Sequence, residues 1–325
     1  MSTLTAQPLV SIVTPVLNRV STIRACLFSV ASQTYPSIEH IVVDGGSSDG
    51  TLELLQAFET DRPWRWFSER DDGMYDAINK GLRSARGEIV CYLNSDDLYF
   101  PWSVDTAVKR IRRGADLVYG DLAVLERDPD PTGFYIQFYP DFDLGYYTHT
   151  ATIGQPTAFW RRSLTEEIGY FDTSYRLIGD CEYWLRAGAA GARIEHIAEV
   201  LAVQIEHPTT LRATQGDRLR AEFVRLRSRY ATVAGPPRWT RWQRLKRSLV
   251  WRRHQLELRA AIRRERPDRW PRFASFIQRR QIHVDDTALL AFMLPERFRP
   301  TRSAWGSPVE LERKLMEEIG VGAYE

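Results

Sequence analysis

Apolar and polar positions in the first hundred residues alternate between two periods. Residues 9–14 form a short apolar run that stops at Pro15, the pattern of a buried strand. Ile23, Cys26, Leu27 and Val30 then recur at helical spacing, with Ser21 placed to cap the helix and Pro36 beyond its end. Ile41-Val42-Val43 predicts a second buried strand, followed by the turn-rich Asp44-Gly45-Gly46-Ser47-Ser48-Asp49-Gly50 and another helix. Residues 64–68 and 88–93 read as further strands, with a helix over residues 75–85 between them. Repeated strand–helix units of this length predict an α/β fold, a mostly parallel sheet flanked by helices.

From residue 115 to 158 the pattern loosens into short strands, a turn at Asp128-Pro129-Asp130-Pro131 and many aromatics. Helices are expected over residues 163–168 and 180–190, and a strand over 200–205. Beyond about residue 215 the strands cease. Residues 218–230 read as a helix capped by Asp217, Ala234-Gly235-Pro236-Pro237 as a hinge, and Arg-rich helical text follows. The expected division is an α/β body of residues 1–215 and a basic, mainly helical region of residues 216–325.

Charge sharpens that division. Residues 238–280 hold fifteen Arg or Lys against Glu257, Glu265 and Asp268, a surplus of twelve positive charges in a chain whose net charge is +2. The rest is therefore acidic, and the two parts are expected to meet different partners. In the basic segment Trp242, Leu245, Leu249, Leu256 and Ala260 follow helical spacing. Such a helix suits peripheral contact with an anionic membrane. Packing on the α/β body or in a homo-oligomer is the plainer alternative, and nucleic acid the least favoured one. No apolar run of about 18 residues occurs, the first residues lack a signal-peptide pattern, and Cys26, Cys91 and Cys181 form no CxxC pair. These features set the expected location as cytoplasmic, with membrane association at the cytosolic face through the basic segment.

Carboxylates gather where predicted strands end. Asp44 follows one strand and Asn94-Ser95-Asp96-Asp97 another, and in parallel sheets ligands sit at the C-terminal strand ends. A strand-end acid pair can hold Mn2+ or Mg2+ while phosphate oxygens fill the other positions; alternatively Asp96 or Asp97 caps the helix after Pro101. Asp44-Gly45-Gly46 can receive a base or ribose, or is an ordinary turn. In Asp71-Asp72-Gly73-Met74-Tyr75-Asp76-Ala77-Ile78-Asn79-Lys80-Gly81 the early acids suit a helix dipole, whereas Asn79 and Lys80 have no such structural reason, and Lys80 either faces phosphate or is solvated. Asp180 and Glu182 stand at a predicted helix start, where Asp180 is either a general base or an N-cap. His207, in a loop, is a candidate for a metal or diphosphate site or a packing residue.

Taken together, these segments resemble the family 2 glycosyltransferases with the GT-A fold. The matching pieces are residues 10–18, 43–51 and 71–81, Gly87-Glu88 leading to Asn94-Ser95-Asp96-Asp97, Gln155-Pro156-Thr157, Phe171-Asp172, and residues 180–186. The third piece resembles text found in bacterial polysaccharide and glycolipid members. The resemblance implies a nucleoside-diphosphate sugar donor and a glycan or lipid-linked acceptor. It places Thr14, Pro15, Asn18 and Asp44 at the nucleoside, with Asp44 reading the base, and Asp71 at the border of the nucleotide-sugar. Asp96 and Asp97 match the Asp-x-Asp-like metal motif, Asp97 as the direct ligand and His207 approaching it. Asp180 matches the base of inverting members, and Glu182 helps to position the acceptor.

Two positions depart from the family pattern: Asn94 where many relatives carry aspartate, and Gly179 before Asp180 where many carry glutamate. The Gln-x-x-Arg-Trp motif and membrane helices of processive members are missing from the sequence, which favours transfer of a single sugar. A nucleotidyltransferase and a non-catalytic nucleotide-sugar-binding scaffold are the rival readings.

Overall fold

The structure is a computed structural model that describes residues 7–233 apart from 129, 149, 150, 207, 209 and 211–213. The basic segment of residues 238–280, its expected membrane contact and the His207 assignment lie outside the described residues.

The opening apolar run becomes β1 (Val10–Val16), followed by α1 (Ile23–Ala31), β2 (Ile38–Asp44), α2 (Thr51–Ala57), β3 (Trp64–Ser68), α3 (Met74–Ser84) and β4 (Ile89–Tyr92). Strands β3, β2, β1 and β4 lie side by side in that order, all parallel. Both β1 and β2 are buried along their whole length, which is why they read as continuous apolar runs rather than alternating ones. β1 does not stop at Pro15. Its pairing with β4 ends at Val13, so at Pro15 only β2 is a neighbour and the missing amide leaves no gap in a ladder. Ser21 is not the cap of α1: the amides of Thr22 and Ile23 bond to the Arg19 carbonyl, and the helix starts without a side-chain cap.

The second half adds β5 (Leu98–Tyr99), α4 (Ser103–Arg112), β6 (Leu117–Asp128), β7 (Asp130–Gln137), α5 (Leu144–Tyr147), a 3-10 turn at Gln155–Thr157, β8 (Phe159–Arg161), α6 (Arg162–Ile168), α7 (Gly179–Ala189), β9 (Ile194–Glu206) and α8 (Gly216–Tyr230). β8 pairs antiparallel with β4 and carries the sheet on to β6, β9 and β5. The loose region is in fact a long hairpin, β6 against β7, that turns at the expected Asp128 to Asp130. β9 starts well before residue 200 because it pairs in parallel with β6 from Ile194 onward, a long-range partnership that local alternation does not reveal. Asp217 lies in the first turn of α8 and pairs with Arg220 rather than capping it.

His40, on β2, is only 4% exposed and its Nε2 lies 2.9 Å from the Thr14 hydroxyl. Burial holds its pKa down to about 3, against an ordinary 6.5. The unfolded chain therefore takes up a proton that the folded chain refuses, and stability falls as pH drops from 6.5 toward 3. Between pH 7 and 5 this site should cost about 2 kcal/mol. Urea unfolding at both pH values should show wild type losing that much more than His40→Gln; equal losses would mean that His40 is protonated in the folded state.

Candidate active site

From β1 the chain passes to β2 and β3 on one side, whereas β4 lies on the other. The C-terminal ends of β1 and β4 thus flank a topological switch point, where loops diverge and leave a crevice. A cleft of about 620 Å³ opens there, lined by Pro15 near the end of β1 and Asn18 after it, Asp71 and Tyr75, Asn94 to Asp97 after β4, Gln155, and Arg176 with Asp180.

Asn18 adopts a positive φ of 53°, a conformation that asparagine tolerates better than most residues. It ties the loop after β1 to the loop after β2: its amide donates to Ser47 Oγ and its Oδ1 accepts from the Ser48 amide, both at 2.8 Å. Asp44, the last residue of β2, is fully buried. Its Oδ2 accepts from the amides of Gly46 and Ser47, at 2.9 and 3.0 Å, and from the Ser68 hydroxyl at 2.6 Å. Its Oδ1 is buried with no hydrogen-bond partner among the described residues. A buried acceptor without a donor is costly, and a ligand N–H would relieve it. Asp71 accepts from the Gly73 amide at 2.8 Å, and a Cβ at Gly45 would fall 2.3 Å from Asp71 Oδ2, so glycine is what lets this carboxylate approach the loop after β2. Thr14 does not line the cleft; its hydroxyl is turned inward to His40.

The acids after β4 are not helix caps. α4 begins at Ser103 behind Trp102, whereas Asp96 and Asp97 lie before β5 and line the cleft. Asp97 is 3% exposed, and its Oδ1 accepts from the Ile205 amide at 3.2 Å. Asn94 Nδ2 points at two acceptors, Asp97 Oδ2 at 3.4 Å and Gln155 Oε1 at 3.1 Å. An aspartate at this position would instead set carboxylate against carboxylate. Asn94 Oδ1 is buried without a hydrogen-bond partner among the described residues. Among the described residues no three His, Cys, Asp or Glu form a cage for an ion. The donor set nevertheless fits Mn2+ or Mg2+: two carboxylates and an unsatisfied amide oxygen are hard ligands, and such ions commonly take one or two carboxylates plus substrate phosphates.

Across the cleft, Asp180 sits in the first turn of α7. It is not an N-cap: that position is Ile178, with no side-chain cap bond. Asp180 is 7% exposed, and the Tyr75 hydroxyl donates to its Oδ1 at 3.1 Å while accepting from its amide at 3.2 Å. The Tyr75 ring packs so closely on the turn that a Cβ at Gly179 would meet it at 2.8 Å, which explains why this chain carries glycine there. Burial, and then the Asp180 charge, push the Tyr75 phenol well above its usual pKa, so it remains a donor at any working pH. Both Asp180 and Asp97 also push up the pKa of the buried Tyr92 phenol, behind its own burial, so their fields overlap in one space.

Three more expected site residues lie elsewhere. Glu182 is fully buried and away from the cleft, bound by Arg186 Nη2 at 2.8 Å and the Tyr230 hydroxyl at 2.9 Å. Residues two apart on a helix point in opposed directions, so a cleft-facing Asp180 turns Glu182 into the protein. Asn79 spends its amide on the backbone of Phe171, donating to its carbonyl at 2.9 Å and accepting from its N–H at 3.0 Å. That clamp fixes Phe171 between the rings of Tyr75 and Tyr183, at 5.6 and 4.4 Å. Lys80 bonds the Arg70 carbonyl at 2.6 Å and pairs with Glu69 and Asp76. Conversely, Tyr75, Gln155 and Arg176 line the cleft without having been given a role. For Tyr75 a signal was present: it falls four residues before Asn79 in the densest motif of the chain.

The family described as Glycosyl transferase family 2 matches residues 11–169. A curated relative, the PGL/p-HBAD biosynthesis glycosyltransferase of Mycobacterium bovis, is 31% identical over 201 residues, which cover 60% of this chain and 76% of that protein. The chain belongs to the family 2 glycosyltransferases. Solved structures agree on the fold. The mannosyltransferase PcManGT of Pyrobaculum calidifontis, in complex with GDP-Man and Mn2+, matches with a TM-score of 0.53 at 24% identity, over 72% of this chain and 66% of that one. S. aureus TarS 1-349, in complex with UDP-GlcNAc, matches with a TM-score of 0.54 at 18% identity, over 97% and 93%. In this glycosyltransferase the GT-A fold is therefore the scaffold that brings Asp71, Asn94, Asp96, Asp97 and Asp180 to one cleft.

Glu182→Ala should leave Arg186 without its buried partner and lower stability by about 3 kcal/mol. Calorimetry beside a transfer assay would check this: a raised KM for the acceptor with unchanged melting would return Glu182 to the acceptor site.

Proposed function

We propose that this enzyme transfers a single sugar, with inversion, from a nucleoside-diphosphate sugar to a hydroxyl of a glycan or lipid-linked acceptor. The observation that carries this reading is one cleft with a buried, hydrogen-bonded carboxylate, Asp180, on one wall and the Asn94, Asp96, Asp97 group on another. An acceptor hydroxyl bound between them would pass its proton to Asp180 as the oxygen attacks the anomeric carbon from the side opposite the leaving diphosphate. The Tyr75 hydroxyl orients that carboxylate by bonding one of its oxygens. Asp44 Oδ1 would accept from the base of the nucleotide, and Asn18 and Asp71 would border the ribose and sugar.

Asp97 and Asp96, with Asn94, would hold a divalent cation. When bound, such an ion supplies positive charge to the departing diphosphate. Supporting context comes from the neighbours: PcManGT is in complex with GDP-Man and Mn2+, TarS with UDP-GlcNAc, and the mycobacterial relative is named for PGL/p-HBAD biosynthesis. Among the described residues no helix is long and apolar enough to cross a membrane. A lipid-linked acceptor would then be met from the cytosolic face, with the segment of residues 238–280 as the proposed contact.

A thermal-shift panel of UDP-, GDP- and dTDP-hexoses, with and without Mn2+, should give a metal-dependent rise for one nucleotide series, lost in Asp97→Ala. Asp180→Asn should keep that rise while transfer falls by about 10²–10⁴-fold. The product should be a nucleoside diphosphate, and NMR of the new glycosidic bond should show an inverted anomeric centre. Retained configuration, or full activity in Asp180→Asn, would overturn the mechanism.

A further inference from the structure

We propose that Glu222, on α8, is a positioning residue for Asp180; this rests on the reading of Asp180 as the base. α8 carries a buried stripe of Glu222, Leu226 and Tyr230 at four-residue spacing. Glu222 is the polar member of the stripe and is 7% exposed. Its carboxylate accepts from three successive backbone amides of the segment that leads into α7: Arg176 at 2.9 Å, Leu177 at 3.0 Å and Ile178 at 3.3 Å. Arg176 and Leu177 line the cleft, and Asp180 follows two residues after Ile178.

The start of α7 has no side-chain cap of its own. Two distant groups fix it instead, the Tyr75 hydroxyl on the Asp180 amide and Glu222 on the three amides before it. A carboxylate fits this task, since both oxygens accept and its charge favours a helix N-terminus. Glutamine would present an NH₂ to at least one of those amides. The same helix grips the segment at two further points: the Arg225 guanidinium lies 3.7 Å from the Tyr175 ring centroid, and Arg229 pairs with Asp172 at 3.1 Å. With α8 holding one side and α3 the other, the carboxylate of Asp180 has one place to be.

Full-length Glu222→Gln should be compared with Leu226→Ala, which loosens the packing of α8 without touching those amides. Hydrogen exchange read by mass spectrometry should show residues 175–181 exchanging at least about tenfold faster in Glu222→Gln, with β1 and β2 unchanged. Release of nucleoside diphosphate from the hexose donor that registers in the thermal-shift panel, with water as acceptor, should show kcat down about tenfold or more at unchanged KM. Leu226→Ala should lose stability and keep kcat. Unchanged exchange over residues 175–181, or a Glu222→Gln kcat equal to that of Leu226→Ala, overturns the positioning role. Should Asp180→Asn remain active, the base assignment itself fails, whatever Glu222→Gln does.

Discussion

Burying a carboxylate costs several kcal/mol unless donors meet it, and a carboxylate proposed as a general base must be met without being neutralised. The contact between Tyr75 and Asp180 is where this chain satisfies both demands. A phenol donates one hydrogen bond and carries no charge, so it steadies the carboxylate yet leaves it able to take a proton. That one contact dictates much around it. The ring needs a flat neighbour, supplied by Phe171; Phe171 needs its backbone held, supplied by Asn79; and the turn beneath the ring can carry no side chain, hence Gly179.

The opposite wall obeys a different constraint. Parallel strands of unequal reach end at one level, and whatever follows them faces the same crevice. Asp71 after β3 and Asn94 to Asp97 after β4 are brought together by this rule, not by proximity in the chain. At the ends of β2 and β4, Asp44 Oδ1 and Asn94 Oδ1 stay buried without a hydrogen-bond partner among the described residues.

Much of this was legible in the sequence because it follows from local pattern. The βα order, the strand over residues 64–68 and the helices carrying Tyr75 and Asp180 all come from periodicity within ten or so residues. What was illegible was pairing at long range. β9 was underestimated because its early half is held by β6, and Pro15 was misjudged because its tolerance depends on where β4 stops. Among site residues, polar identity alone was a poor guide: Asn79, Lys80 and Thr14 spend their polar groups on the protein itself. Helical geometry would have separated Asp180 from Glu182, since neither two side chains on opposed faces nor their partners can share a cleft.

The extent of the shared family region has a consequence for recombining such enzymes. The match to the family description ends at residue 169, eleven positions before Asp180, whereas the mycobacterial relative aligns over 60% of the chain. The wall that carries Asp180 is built later, from α7 and from α8, whose last residue Tyr230 still bonds Glu182. A chimaera spliced where that match ends would thus take the ends of β1 to β4 from one parent and the wall that carries Asp180 from another. The two would meet at the Tyr75–Asp180 and Asn79–Phe171 contacts. Grafts that keep those two seams should hold both walls of the cleft in place; grafts that ignore them should not.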